Sequence, residues 1–214
     1  MTVFPSKPLY SLTKRLFDLL AAAVGLLVLS PPLAVLYVAI ALTNTGGALF
    51  IQKRGGRNGR LFELVKFRTM RSEHVHDPDP SVRITDQDAG VTRLGRFMRK
   101  GKLDELPQLW NVLTGDMSLV GPRPTVPEQV AAYNDFQRQR LLVSPGITGL
   151  AQINGGTALS WDERIEWDVY YVYHRSWRMD LAILLATFLA VLRGTEERVR
   201  RFDQVHPGEQ LPGR

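Results

Sequence analysis

Asp104 and Glu105 are adjacent acids that follow a run of cations, Arg93, Arg96, Arg99, Lys100 and Lys102, with no acid in between. Paired carboxylates beside concentrated positive charge suit phosphate chemistry. The cations neutralise the substrate, one carboxylate attacks or holds a metal, and the other handles a proton. An Asp-Glu pair alone does not define a site, because adjacent acids occur on many surfaces. A cationic run is equally a solvated helix face, and Arg93, Arg96 and Lys100 recur at helical spacing. Pro107, just behind the acids, limits helix geometry there.

Other chemistries find less support. A glycosidase needs two carboxylates about 5 Å or more apart across a glycosidic bond, which sequence neighbours seldom provide. There is no cysteine, so thiolate nucleophiles and thiolate metal sites are excluded, and any metal must be held by oxygen or imidazole. His74 and His76 lie near Asp77 in a polar stretch and read as incidental rather than ligating. Gly55-Gly56-Arg57-Asn58-Gly59-Arg60 lacks the strand-to-helix context of a phosphate-binding loop and reads as a turn. No serine-centred nucleophile motif stands out.

The elements that must position these residues begin with an apolar run. Leu19 to Leu42 is twenty-four residues without a charge, long enough to cross a membrane once. Ser30-Pro31-Pro32 halves it, and consecutive prolines predict a sharp break. Each half is too short to span, so a re-entrant hairpin competes with a spanning helix. A signal peptide is a third reading, from Ala39-Ile40-Ala41, but the run is longer than the ~7–15 residues of a signal core. Lys14 and Arg15 before the run, and Lys53, Arg54, Arg57 and Arg60 after it, place positive charge on both flanks. That pattern favours re-entry with both ends on one side.

Leu49 to Arg54 and Leu61 to Phe67 read as two strands of a small hairpin around the Gly and Asn-Gly turn. Residues 72 to 90 show no period and read as a solvated loop. Trp161, Ile165, Val169 and Val172 recur as one buried helix face. Trp167, Tyr170, His174 and Trp177 lie on another face, open to two readings, core packing or an interfacial aromatic belt. Leu181 to Leu192 gives twelve uncharged residues, too few to span, and reads as a buried or membrane-resting helix. The chain has 214 residues, 44% of them hydrophobic, sufficient for one sizeable core or a small domain with a membrane element. Lys and Arg number 27 against 21 Asp and Glu, a net charge of +6, which favours anionic partners.

At 104 to 124 the chain reads DELPQLWNVLTGDMSLVGPRP, and this stretch resembles the bacterial sugar transferase family, the monotopic phosphoglycosyl transferases. Further blocks in the same order are Lys14-Arg15-Leu16-Phe17-Asp18, Ser30-Pro31, Gln52-Lys53-Arg54 and Lys66-Phe67-Arg68-Thr69-Met70. They continue with Val143-Ser144-Pro145-Gly146-Ile147-Thr148-Gly149 and Asp168 with Tyr171. The size resembles the small, PglC-like members. The resemblance implies a re-entrant helix broken at Ser30-Pro31, a catalytic region on the cytoplasmic face of the bacterial inner membrane, and dependence on Mg²⁺. It implies that Asp104 attacks the phosphate bearing the sugar and contacts the metal, expelling a nucleoside monophosphate, and that Glu105 then assists the lipid phosphate.

Arg123, in Gly121-Pro122-Arg123-Pro124, is the leading phosphate clamp, since a guanidinium grips two oxygens at once. Arg99 and Lys66 are further candidates for phosphate contacts. Asp18, near the start of the apolar helix, reads as structural, capping the helix or pairing with Arg15. Two departures from the family pattern stand out. Ala48 occupies a usual proline position, and Gly101-Lys102 replaces a hydroxyl residue, where glycine would loosen the backbone before Asp104.

The expected fold is mainly α with a small β-hairpin. A helix-break-helix membrane element over residues 1–45 packs on a compact catalytic domain over 46–214. The expected partners are a UDP-sugar, polyprenyl (undecaprenyl) phosphate and anionic lipids, with a homo-oligomer also open. Nucleic acid is not expected, because aromatics are not interleaved with the cations of 93 to 102. Competing readings are a membrane-tethered basic binding module and a metal-dependent nucleotide-sugar hydrolase.

Overall fold

A computed structural model describes residues 6–44, 46–71, 88, 90–193 and 199–214. The loop expected over 72 to 90, with His74 and His76, lies almost entirely outside the described residues. The chain is mostly helical, with a small hairpin and one long apolar helix.

That helix, α1, runs from Pro8 to Thr43. Pro8 starts it without cost, because the first-turn N–H groups have no intrahelical acceptor. Helical structure continues through Pro31 and Pro32, so the interruption expected at Ser30-Pro31 is absent as a gap in the element. Pro31 cannot donate to the Leu27 carbonyl, but the Ser30 hydroxyl does so at 2.7 Å, satisfying the acceptor that the proline orphans. At 36 residues the helix is about 54 Å long.

Although most of α1 is exposed, one stripe lies along the rest of the protein. Ala22, Leu26 and Leu29 pack with Phe62, Leu64, Leu109 and Val112, while Leu33, Leu36 and Ile40 pack with Ala48, Phe67 and Met98. Both ends are also tied down. Lys7 Nζ donates to the Arg175 carbonyl at 2.8 Å, and Asn44 Nδ2 donates to the Met70 carbonyl at 2.8 Å. Asp18 is buried and pairs with Lys14 at 3.5 Å rather than with Arg15. It also accepts from the Ser118 hydroxyl at 2.7 Å. Arg15 instead donates to the Val112 and Leu113 carbonyls.

The hairpin forms where expected, with β1 at Leu49–Gly55 and β2 at Leu61–Phe67, antiparallel. Its turn needs left-handed backbone at Asn58 (φ 55°) and Gly59 (φ 78°), conformations that Asn and Gly adopt most readily. Ala48, at the usual proline position, is a buried core residue. Helix α2, Arg93–Lys100, is capped by Thr92, whose hydroxyl accepts from Gly95 N. Helix α3, Gln108–Thr114, ends at Gly115 with φ 96°.

A second sheet had no counterpart in the expectation. β3, Ser118–Val120, pairs in parallel with β4, Gly146–Thr148. The pairing depends on close backbone approach, since a Cβ on Gly146 would lie 2.1 Å from Gly121 N. Short helices α4 (Pro127–Ala131), α5 (Asp135–Arg138) and α6 (Leu150–Ile153) lead to α7, Trp161–His174, which a Ser160/Glu163 capping box starts.

Ile165, Val169 and Val172 are buried as their spacing predicts. Trp167 is buried too, packed edge-on to Phe202. Core packing therefore holds for it, and the headgroup belt does not. Helix α8, Trp177–Arg193, buries Asp180 and Ile183 but exposes Leu181, Leu185, Phe188 and Leu192 as one apolar stripe. Helix α9, Phe202–Val205, closes over α7.

Candidate active site

The hairpin supplies one wall of the site. Side chains alternate between the faces of a strand, and the register pairs Phe50 with Lys66, Gln52 with Leu64, and Arg54 with Phe62. Phe62 and Leu64 are buried, so this is the covered face, and it carries Lys66 at one end and Arg54 at the other. The Lys66 ammonium lies over the Phe50 ring, 5.1 Å from its centroid.

The acids enter on a single turn of 3-10 helix, Leu103–Glu105. Lys102, with φ 53°, reverses the chain after α2, whereas Gly101 has an ordinary φ of −88°. The glycine is thus not the source of the turn. Leu103 packs against the core that holds Met98 and Phe67, which anchors the turn. Asp104 is buried, and Glu105 receives both arms of the Arg123 guanidinium. Arg123 arrives on the loop that follows β3. Arg99 donates through Nε to the Thr69 hydroxyl at 2.9 Å, while Arg93, Arg96 and Lys100 are exposed. The cationic run therefore divides, with three residues on the solvated face and Arg99 turned inward.

Lys66, Arg99, Asp104, Glu105 and Arg123 thus converge from β2, α2, one turn and one loop. Burial and the neighbouring Glu105 charge raise the Asp104 carboxyl above its ordinary range, against the pull of Lys66, Arg123 and Arg99. Burial alone would raise Glu105 as well, but its ion pair and hydrogen bond with Arg123, helped by Lys66 and Lys102, hold it below the ordinary value. Two adjacent carboxyls are pushed in opposite directions, the arrangement that separates the roles of paired acids. Burial, and then Arg123, lower Lys66 to about 8.

Sequence reasoning missed two residues at this site. Arg54 feels the charges of Arg123, Glu105 and Glu128, and its neighbour Gly55 donates to the Thr125 carbonyl at 2.9 Å, joining β1 to the Arg123 loop. Hairpin alternation could have found Arg54, because it shares a face with Lys66. Arg140 lies beneath the loop and is buried. Its short turn, Gln139–Leu142, has no period that would mark it.

The residues fit a divalent cation of the magnesium type. Among the described residues no cluster of three acids or histidines could hold a metal alone. Magnesium, however, commonly takes one or two carboxylates together with substrate phosphates. Asp104 suits that use, since its carboxylate accepts no hydrogen bond from the described residues while facing Lys66 and Arg99.

Comparison with known proteins places this geometry in context. Residues 9–194 match the family described as bacterial sugar transferase. The uncharacterized sugar transferase EpsL of Bacillus subtilis (strain 168) is 44% identical over 180 residues, 84% of this chain and 87% of that one. The exopolysaccharide production protein ExoY of Rhizobium meliloti (strain 1021) is 39% identical, covering 86% of this chain and 88% of that one. The undecaprenyl-phosphate galactose phosphotransferase of Salmonella typhimurium is 40% identical over 84% of this chain, which spans only 40% of that longer relative.

Proposed function

The chain belongs to the bacterial sugar transferase family, and from that premise we propose that it moves a sugar-1-phosphate from a UDP-sugar to polyprenyl (undecaprenyl) phosphate, releasing UMP. The observation that carries this reading is the buried Asp104 and half-buried Glu105 facing Lys66, Arg99 and Arg123 beside an exposed apolar helix. The name of the Salmonella relative supports the lipid acceptor and the transfer of a sugar phosphate.

The reaction proceeds by two displacements. An Asp104 carboxylate oxygen attacks the sugar-bearing phosphorus, and the bond from that phosphorus to the bridging oxygen breaks, so the electron pair leaves with UMP. An oxygen of the lipid phosphate then attacks the same phosphorus, and the Asp104 carboxylate departs. Asp104 is suited to the first step because burial and Glu105 destabilise its charged form, leaving a more basic carboxylate. Lys66, Arg99 and Arg123 bind and orient the phosphates. Glu105, reached by Arg123, is placed to steer the incoming acceptor. Asp104, together with substrate oxygens, would hold a Mg²⁺ ion, which would supply charge shielding between anions.

The protein rests on the cytoplasmic face of the membrane with both ends of α1 on that side. Supporting this topology, Lys7 and Asn44 bond to the same body at opposite ends of the helix. The exposed stripe Leu181, Leu185, Phe188 and Leu192 on α8 provides a second apolar contact with lipid. Steady UMP release from UDP-sugars with Mg²⁺, dependent on undecaprenyl phosphate, tests the reading. Equal release without lipid would favour a hydrolase, and none with any UDP-sugar would favour a binding module.

A further inference from the structure

The proposed chemistry leaves one guanidinium unused. Among the described residues, Arg54 Nε is buried without a hydrogen-bond partner, and its Nη2 donates to Gln52 Oε1 at 2.6 Å. An unmet buried donor is costly, and more so on a charged group. Arg54 is also set beside a second guanidinium, that of Arg123, with Glu105 and Glu128 as its acidic neighbours. Like charges brought together in a partly desolvated space disfavour one another, and burial followed by Arg123 lowers Arg54 to about 10. An orphaned donor and a like-charge neighbour share one remedy, an anion between them.

The position of Arg54 says which anion. Lys66, Arg123 and Arg99 draw the Asp104 carboxyl down against burial and Glu105, whereas the charges acting on Arg54 are those of Arg123, Glu105 and Glu128. Arg54 and Lys66 occupy opposite ends of one hairpin face, and Arg123 reaches toward both. Lys66, at one end of that face, stands with Arg99 at the nucleophile, Arg123 grips Glu105 beside it, and Arg54 lies at the far end, its charge still felt at Lys66. Phosphoryl transfer places attacking and leaving oxygens roughly in line through phosphorus. The group expelled by Asp104 therefore departs on the side opposite Asp104. An acceptor that later expels Asp104 must attack from that same side.

We propose that Arg54 and Arg123 form a second phosphate seat, opposite Asp104, which holds the phosphate of the departing nucleoside monophosphate and then the phosphate of the lipid acceptor. The forked guanidinium of Arg54 turns its free Nε and adjacent Nη toward two oxygens of one phosphate. The inference rests on the two-displacement reading above and adds a residue and a shared subsite to it.

Two ligand arms separate the sources of the phosphate. In the first, the full chain in lipid nanodiscs exchanges labelled UMP into a UDP-sugar without lipid acceptor, and the half-saturating UMP concentration is measured. In the second, the KM for undecaprenyl phosphate is measured. Arg54→Gln is expected to raise both constants about tenfold, the loss of one charge-assisted contact, with Arg54→Lys intermediate in both. Lys53→Gln, which removes an exposed charge from the opposite strand face, is expected to leave both unchanged.

Constants within twofold of wild type for Arg54→Gln would overturn the seat. A shift in only one arm would overturn its sharing. Parallel losses with a lowered Tm that Arg54→Lys does not relieve would assign Arg54 a structural role and overturn it too. If the wild-type protein neither exchanges UMP nor releases it from any UDP-sugar, the two-displacement reading fails instead.

Discussion

Arg140 donates through Nη2 to the carbonyl oxygen of Arg123 at 2.8 Å. The same guanidinium bonds Asp168 at 2.5 Å and the Tyr133 hydroxyl at 2.6 Å, and that hydroxyl meets the Thr125 hydroxyl at 2.5 Å. A buried ion pair thus holds the backbone of the loop from which Arg123 projects. Removing one partner of a buried pair strands the other charge, at a typical cost of about 3–5 kcal/mol. Asp168→Asn should therefore lower Tm by several degrees and raise the KM for UDP-sugar. A wild-type Tm would separate this pair from the loop's stability.

Arg123→Ala should reduce turnover by about 10²–10³-fold, the range seen when one preorganised donor is removed from a charged transition state. Membrane association should persist, because no apolar contact is lost. Arg123→Lys should recover only part of the rate, since an ammonium cannot fork across two oxygens. UMP release near the wild-type rate in Arg123→Ala would remove this residue from the reaction.

Asp104→Asn should abolish both the phosphosugar adduct formed with UDP-sugar and Mg²⁺ and the release of UMP. Glu105→Gln should retain adduct but slow its discharge by polyprenyl phosphate. Rapid quenching with intact-mass analysis reads both. Full turnover by Asp104→Asn would exclude the covalent route.

Lys66 carries its charge below about 8 and loses it above. If its ammonium binds phosphate, kcat/KM for UDP-sugar should fall as pH rises through that value in the free protein. Lys66→Arg should move the alkaline limb upward, because guanidinium stays charged. An unchanged limb would assign that ionisation to another group.

Cysteines placed at Ser6 and at Asn58 should both resist a periplasmic thiol reagent. Labelling of Ser6→Cys alone from that side would require α1 to cross the membrane.

The sequence alone determined the features that depend on short-range pattern. A long uncharged run marked α1, alternation and Asn-Gly marked the hairpin, and helical spacing marked the Ile165, Val169 and Val172 face. The acids Asp104 and Glu105 were visible because they are neighbours. Packing decided what distant segments bring together.

Helical spacing placed Arg93, Arg96 and Lys100 on one face but did not say that the face points to solvent, leaving Arg99 as the inward cation. Arg54 and Arg123, far apart in sequence, come under each other's charge where Gly55 of β1 bonds Thr125 of the Arg123 loop. The parallel β3–β4 pair likewise needs Gly121 and Gly146 to meet through space. Even the two prolines in α1 marked a weak point without fixing its outcome. Ser30 answered the Leu27 carbonyl, and contacts along the whole helix held it as one element. Local chemistry sets which conformations are inexpensive, and long-range packing selects among them.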